Sequence, residues 1–452
     1  MSEFQPMRIH FIAIGGSAMH NLALALHDDG HEVTGSDDQI LEPSRSRLAA
    51  AGLLPDAEGW FPERITHDLD VVILGMHARM DNPELTTAQS LGLPVQSYPE
   101  FLYHATEQKK RVVIGGSHGK TTVTSMVLHV LQSLGRPTDF MVGAQLDGFD
   151  RMVSLSQERN LAVFEGDEYL SSPIDRRPKF FWYRPHLTLL TGIAWDHINV
   201  FPTEANYVEQ FAHYLATVEP GGTVVYCEED GQLAQLVEAA ELHAIPYHTP
   251  DWETDGNRTV LRFVDGGQCA TSLVGTHNFQ NLAGARALCA ELGVDVADFD
   301  RAIEGFQGAA RRLQAIQQED DVVVYRDFAH APSKVKATTE GVRASYPDRR
   351  LLACFELHTF SSLNSDFLPT YAHALDAADE AVVYFDPEVL QHKRLPALDA
   401  EFVQRCFGRT DLHVITSREA LEAHWATWQT GPRVVLLMSS GWFSGAVWPA
   451  NR

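Results

Sequence analysis

Short apolar runs alternate along the chain with stretches whose apolar residues recur at helical spacing. At 112–114 a run of Val, Val and Ile reads as a buried strand. A glycine-rich turn follows, and Val123, Met126, Val127, Val130 and Leu131 then fall on one helical face. The same order of strand, turn and helix opens the chain. Residues 8–14 start as a strand, turn at Gly15-Gly16, enter a helix through Asn21 to Leu26 and stop at Gly30. A second strand ends in Val33-Thr-Gly-Ser-Asp37, and further segments read as strand at 69–74, helix at 82–91 and strand at 94–97. Gln108-Lys-Lys-Arg111 reads as a short basic hinge between two regions.

Beyond the hinge the alternation continues. Strands are expected at 161–164, 187–193 and 221–226, the first two running into Glu165-Gly-Asp-Glu-Tyr169 and Ala194-Trp-Asp-His197. Residues 249–267 read as an irregular piece, after which Val274-Gly-Thr-His-Asn-Phe-Gln-Asn281 leads into an alanine-rich helix. A third region starts near Gly308 and carries strands at 321–325, 351–355, 380–384 and 433–438. Strands alternating with helices predict an α/β protein with mostly parallel sheets. The expected division is a Rossmann-like N-terminal domain at 7–108, a central P-loop ATPase-type domain at 109–307 and a Rossmann-like C-terminal domain at 308–452.

Composition narrows the class. The chain has 452 residues, 44% hydrophobic and 21% charged, and a formal net charge of −25 from 60 acidic against 35 basic residues. Nucleic-acid binding needs a basic footprint, which this balance excludes as the main activity. No apolar run reaches the roughly 18 residues that span a bilayer. The first residues lack the basic and apolar regions of a secretory signal, so a cytoplasmic protein without membrane insertion is expected. Cys227, Cys269, Cys289, Cys354 and Cys406 are widely spread, which suits buried thiols in a reducing compartment.

Against that acidic background, a polyanion site must be local. Gly115-Gly116-Ser117-His118-Gly119-Lys120-Thr121-Thr122, between a strand and a helix, has the parts such a site needs. Backbone N–H groups face the anion at the helix start, Lys120 neutralises charge, and the Thr121 hydroxyl can ligate Mg²⁺. Ile114 stands where the general pattern has its first glycine, so the loop is a shortened variant. Mg²⁺ with ATP takes few protein ligands, mostly oxygens, and Glu165 at a strand end fits that demand beside the loop. Asp167 and Glu168 are equally acidic, and the residues alone do not choose among the three. His197, after Asp196 at the next strand end, is either a ligand for metal or phosphate or a structural histidine. Asn278, with His277 and Asn281, either caps a helix or reads a purine edge. Arg311-Arg312 and Asp327 suit a phosphate clamp and a ribose ligand. Gly15-Gly16 with Asp37, 22 residues further on, resembles a dinucleotide turn. Ala13 and Ala18 break its glycine pattern, which favours a plain nucleotide or sugar-nucleotide over a nicotinamide dinucleotide.

Taken together these stretches resemble the Mur ligase family of ATP-dependent amide-bond-forming enzymes in peptidoglycan assembly. The resemblance rests on Ile14-Gly-Gly-Ser-Ala-Met19 with Gly35-Ser-Asp37, Gly116-Ser-His-Gly-Lys-Thr-Thr122, Glu165-Gly-Asp-Glu168 and Asp196-His197. It continues through Gly275-Thr-His-Asn278 with Asn281, Arg311-Arg312 and Asp327-Phe-Ala-His-Ala-Pro332. It implies a UDP-sugar held at Gly15, Gly16, Ser17, Asp37 and His77 in the first domain. It further implies ATP on the phosphate loop, with Lys120 on the β- and γ-phosphates and Thr121, Glu165 and His197 as Mg²⁺ ligands. Lys120, Glu165 and His197 are the expected catalytic set. His277, Asn278, Asn281, Arg312, Asp327 and His330 complete the implied ATP contacts, with the third domain closing over ATP and the amine. Within the family, the first domain resembles the branch acting on the lactyl carboxylate of UDP-N-acetylmuramate. The tail Met438-Ser-Ser-Gly-Trp-Phe-Ser-Gly445, Asp81-Asn-Pro83 and Glu168-Tyr169 resemble the recycling (murein peptide ligase) branch, which adds L-Ala-γ-D-Glu-meso-diaminopimelate. L-alanine addition in de novo synthesis is the alternative. A monomer or homodimer is expected.

Overall fold

The computed structural model describes residues 5–145, 149–197, 200–255, 258–309, 312–319, 321–428 and 430–449. Its N-terminal sheet is made of β1 (Arg8–Ile12), β2 (Glu32–Ser36), β3 (Val71–Leu74) and β4 (Val95–Ser97), in the order β2-β1-β3-β4 and parallel throughout. β3 is buried along its whole length, as a parallel strand covered on both faces should be. His10 in β1 is also fully buried. Its ring meets Thr34 Oγ1 at 2.8 Å and Glu84 Oε2 at 3.4 Å, so a polar side chain is accepted because its nitrogens are matched.

The second sheet has seven strands: β5 (Lys110–Gly115), β6 (Asp139–Met141), β7 (Val153–Ser154), β8 (Leu161–Glu165), β9 (Leu187–Leu190), β10 (Thr223–Cys227) and β11 (His243–Tyr247). Their order is β11-β10-β9-β5-β8-β6-β7, with only the edge strand β7 antiparallel. β5 therefore lies between β8 and β9, and the segments that follow all three emerge from one end of the sheet. Ligands of open parallel sheets sit at that end.

The basic hinge expected at 108–111 is not a hinge. Lys110 and Arg111 belong to β5, and Arg111 is buried. Its guanidinium donates to the carbonyls of Tyr183 at 2.8 Å, Thr106 at 3.0 Å and Glu107 at 2.9 Å, and lies 3.2 Å from Glu219 Oε1. A run of basic residues looks solvated in sequence, but a fork of donors that meets several acceptors can be taken inside.

The piece at 249–267 is not irregular either. β12 (Asp251–Asp255), β13 (Arg258–Arg262) and β14 (Gln268–Thr271) form a three-stranded antiparallel sheet. Thr259 and Leu261 are buried at alternate positions of β13. Too few apolar residues mark that period for it to stand out among the charges.

The C-terminal sheet comprises β15 (Gln314–Gln318), β16 (Val322–Asp327), β17 (Arg350–Glu356), β18 (Glu380–Tyr384), β19 (His413–Ile415) and β20 (Arg433–Met438), in the order β15-β16-β20-β17-β18-β19. All pairs are parallel except β15 with β16. One face carries Val324, Leu352, Cys354, Val435 and Leu437 against Trp425, whose indole N–H reaches Cys354 Sγ at 3.2 Å. The other carries Val323, Tyr325, Ala353, Phe355 and Leu436. Three parallel-based sheets with their helices make this a three-domain α/β protein. By Cα proximity the chain divides into two compact units. The first is Met1–Ile193, Val208–Tyr247 and Ala287–Val294; the second is Ala194–Tyr207, His248–Arg286 and Asp295–Arg452. Among the described residues, no helix is long and apolar enough to cross a membrane, and all five cysteines are free and buried.

Candidate functional site

In the first unit the phosphate-loop sequence folds as expected. β5 ends at Gly115, and the helix Lys120–Ser133 begins after Gly119, whose φ of 69° puts the residue before the helix in the left-handed region. No side chain caps this helix start, and its first backbone N–H groups carry the positive end of the helix dipole, which favours an anion. Gly116 has a φ of 118°, and a Cβ there would run into Thr191 Oγ1 and its backbone N. The absence of a side chain lets the loop lie against Thr191, and two hydrogen bonds pin it there. The Ser117 N–H donates to the Gly192 carbonyl at 2.9 Å, and the Thr191 hydroxyl donates to the carbonyl of His118. His118 is half-buried, and Thr122 is buried in the first turn of the helix.

The acids at the end of β8 converge on this loop. Glu165 Oε1 accepts from the Thr121 hydroxyl at 2.9 Å and its Oε2 from the Gly143 N–H at 2.7 Å. Glu168 Oε2 holds Lys120 Nζ at 2.5 Å, and Asp167 Oδ2 holds Lys179 Nζ at 2.6 Å. Burial works against the charge on Lys120, yet Glu168 and Asp167 outweigh it and raise its pKa, with Glu165 adding to the effect. Lys179 is raised in the same way, burial opposing and Asp167 prevailing. Both ammonium groups are therefore charged at neutral pH. Sequence reasoning missed Lys179, Thr191 and the Gly143 N–H. Nothing in the pattern around Asp175-Arg-Arg-Pro-Lys179 marks its lysine as different from a surface basic run.

The donor set fits nucleotide phosphates and a magnesium ion. An uncapped helix start, a charged lysine and a hydroxyl–carboxylate pair supply what each needs. Among the described residues, no three of His, Cys, Asp and Glu gather as a metal cage. Magnesium takes one or two protein oxygens and completes its shell with phosphate and water, a demand that Thr121 and Glu165 meet.

The first-domain turn is also in the first unit. Gly15 N–H donates to Asp37 Oδ2 at 2.7 Å, and a Cβ on Gly15 would come within 2.9 Å of that same oxygen. Asp37 is buried, and burial raises its pKa against the pull of that N–H. Gly16 precedes the helix Ser17–Asp28, which also lacks a side-chain cap. Ser17 and His77 are exposed.

The remaining predicted residues belong to the second unit. Asp196 is buried, accepts from the His197 N–H at 2.7 Å and lies 3.3 Å from Lys334 Nζ and 4.0 Å from His330 Nε2. Burial favours its protonation, but Lys334, with His197 and His330, overcomes this and holds the carboxyl well below the usual range. His330 is driven down to about 3 by burial, with Lys334 adding to the shift and Asp196 opposing it. Its ring is thus neutral at pH 7, and Lys334 is the cation that answers Asp196. His197 has a φ of 55° and a half-buried side chain. It belongs to the second unit, whereas Thr121 and Glu165 belong to the first.

Asp327, at the end of β16, accepts from Leu313 N–H at 2.6 Å and Ala329 N–H at 2.7 Å, which fixes both flanking loops. Arg312 stacks on the Phe328 ring at 4.5 Å; Arg311 lies outside the described residues. His277 is half-buried, and desolvation lowers its pKa, Asp327 opposing. Asn278 does not cap its helix. It sits inside Thr276–Glu291 and donates from Nδ2 to the Val274 carbonyl at 2.7 Å, while Asn281 is buried one turn on.

Comparison with known proteins gives the family. Residues 8–110 match the family model described as Mur ligase family, catalytic domain, 114–289 the Mur ligase middle domain, and 311–441 the Mur ligase, glutamate ligase domain. The chain is 30% identical over 400 residues to a UDP-N-acetylmuramate–L-alanine ligase of Desulfitobacterium hafniense, covering 84% of each. It is similar to the crystal structure of a murein peptide ligase from Psychrobacter arcticus, with a TM-score of 0.67, 25% identity and 97% of each chain covered. A UDP-N-acetylmuramate–alanine ligase from Thermotoga maritima shares the fold at a TM-score of 0.72 and 22% identity, again over 97% of each. The chain belongs to the Mur ligase family, whose members are ATP-dependent ligases that form amide bonds.

Proposed function

We propose that the chain uses ATP to activate the lactyl carboxylate of UDP-N-acetylmuramate and joins it to the amine of L-alanine. The observation that carries the ATP half is the first-unit cluster, in which the helix start at Lys120 faces the Thr121–Glu165 and Lys120–Glu168 contacts. A carboxylate is a poor acyl donor because its leaving group would be oxide. Transfer of the γ-phosphoryl group to a carboxylate oxygen releases ADP and leaves an acyl phosphate. The amine nitrogen then attacks the acyl carbon, the C–O bond to phosphate breaks, and a proton leaves the nitrogen. Phosphoryl transfer of this kind is catalysed by positioning and charge neutralisation more than by covalent help from the protein. Lys120 would neutralise the β- and γ-phosphates, and the N–H groups at the helix start would orient them. Magnesium would be held by Thr121 and Glu165, with His197 as a further ligand, and would supply charge for the phosphate oxygens. Asn278, Asn281, Arg312, Asp327 and His330 are assigned to ATP, and Gly15, Gly16, Ser17, Asp37 and His77 to the UDP-sugar.

L-alanine is placed first because sequence relatives at 30% and 32% identity carry that activity in their names. The tripeptide L-Ala-γ-D-Glu-meso-diaminopimelate is the second reading. It is favoured by likeness to the murein peptide ligase at 25% identity along 97% of the chain, and by the 438–445 tail. Phosphate release with UDP-N-acetylmuramate and either amine separates the two. Turnover with alanine supports the first reading, and turnover with the tripeptide alone replaces it by the second. Turnover with neither overturns the assignment of the substrates.

A further inference from the structure

We propose that Lys179 is a positioning residue that takes over the Glu168 carboxylate when nucleotide phosphates draw Lys120 away from it. This rests on the phosphate-loop reading above. Three carboxylates, Glu165, Asp167 and Glu168, and two ammonium groups, Lys120 and Lys179, share this end of the sheet. Each lysine is held by one of two adjacent acids, Lys120 by Glu168 at 2.5 Å and Lys179 by Asp167 at 2.6 Å. Glu168 is 1% exposed, Lys120 12% and Lys179 14%. A lysine that serves a triphosphate must turn toward it, and a buried carboxylate that loses one of its cations is destabilised.

Lys179 is built into position to meet that demand. The chain leaves Asp167 and comes back: Lys179 N–H donates to the Tyr169 carbonyl at 2.9 Å, Phe180 N–H to the Asp167 carbonyl at 3.1 Å, and Leu170 bridges Pro178. The excursion returns the lysine beside the acids it left. Its ammonium lies 5.7 Å from the ring centroids of both Tyr98 and Tyr169, which receive a cation while committing none of its donors to a fixed acceptor. An ammonium has three N–H donors on a flexible four-carbon stem, so one lysine can serve two neighbouring carboxylates such as Asp167 and Glu168. The charge of Glu168 already acts on Lys179, and that of Asp167 on Lys120.

The test is the affinity of the full chain for magnesium ADP by calorimetry. Lys179→Met is expected to weaken binding about tenfold, and Lys179→Arg to stay within threefold of the parent. Glu168→Gln removes the carboxylate that needs a cation, so it is expected to tighten binding several-fold. In that background Lys179→Met is expected to change the affinity by twofold or less. Equal weakening by Lys179→Met in both backgrounds, or no weakening in the parent, overturns the proposal. Weaker binding by Glu168→Gln alone overturns it too, which keeps the test open if Lys179→Met does not fold. Lys120→Ala is the control: if it leaves ADP affinity unchanged, the phosphate-loop reading itself has failed rather than the exchange.

Discussion

His330 ties the stability of the second unit to pH in a direction that can be worked out beforehand. Its imidazole is half-buried with Nδ1 on the Phe328 carbonyl at 2.8 Å and Lys334 nearby, and desolvation pushes its pKa in the fold down to about 3. In an unfolded chain the same ring titrates near 6.5. The unfolded state therefore binds a proton first as pH falls, and folding is penalised from about pH 6.5 down to about pH 3. Each pH unit in that window costs about 1.4 kcal/mol, so roughly 2 kcal/mol is lost by pH 5. His330→Gln keeps a hydrogen-bonding side chain and cannot titrate. Urea unfolding of parent and variant at pH 7.5, 6 and 5 is the assay. The parent should lose about 2 kcal/mol more than the variant between pH 7.5 and 5. Parallel losses would refute the idea that His330 is held neutral.

Other substitutions probe the frame around the site. Gly116→Ala forces a Cβ onto Thr191 in a backbone conformation that alanine rarely adopts, which should cost about 1–3 kcal/mol in thermal unfolding and cut ATP turnover at least tenfold. Arg111→Met leaves the carbonyls of Tyr183, Thr106 and Glu107 without their donor and Glu219 without its partner, a loss of about 3 kcal/mol or more in urea unfolding. Trp425→Ala empties one face of the C-terminal sheet and should cost about 3–5 kcal/mol by the same measure, with the Cys354 thiol becoming reactive to Ellman's reagent.

What the sequence made legible follows from where local pattern and global fold agree. The strand, turn and helix around Lys120 were readable because β5, the glycines and the helix Lys120–Ser133 each carry their own local mark, and Glu165 was readable as the polar residue that ends an apolar strand. Arg111 was misread because a charged side chain is normally solvated, and only tertiary structure supplies the carbonyls that let it be buried. The β12–β14 sheet was missed because its buried positions, such as Thr259 and Leu261, are sparse among charged neighbours. Lys179 was invisible for a different reason. Its partner Asp167 lies across a hairpin excursion, and nothing in a run of basic residues says which one turns inward.

The central claim is that a carboxylate is activated by phosphoryl transfer before the amine attacks. UDP-N-acetylmuramate labelled with ¹⁸O in its lactyl carboxylate tests this directly, with ATP, magnesium and whichever amine turns over. If an acyl phosphate forms, one labelled oxygen leaves with each phosphate released and the other stays in the new amide. Phosphate that carries no label beyond background would contradict the account.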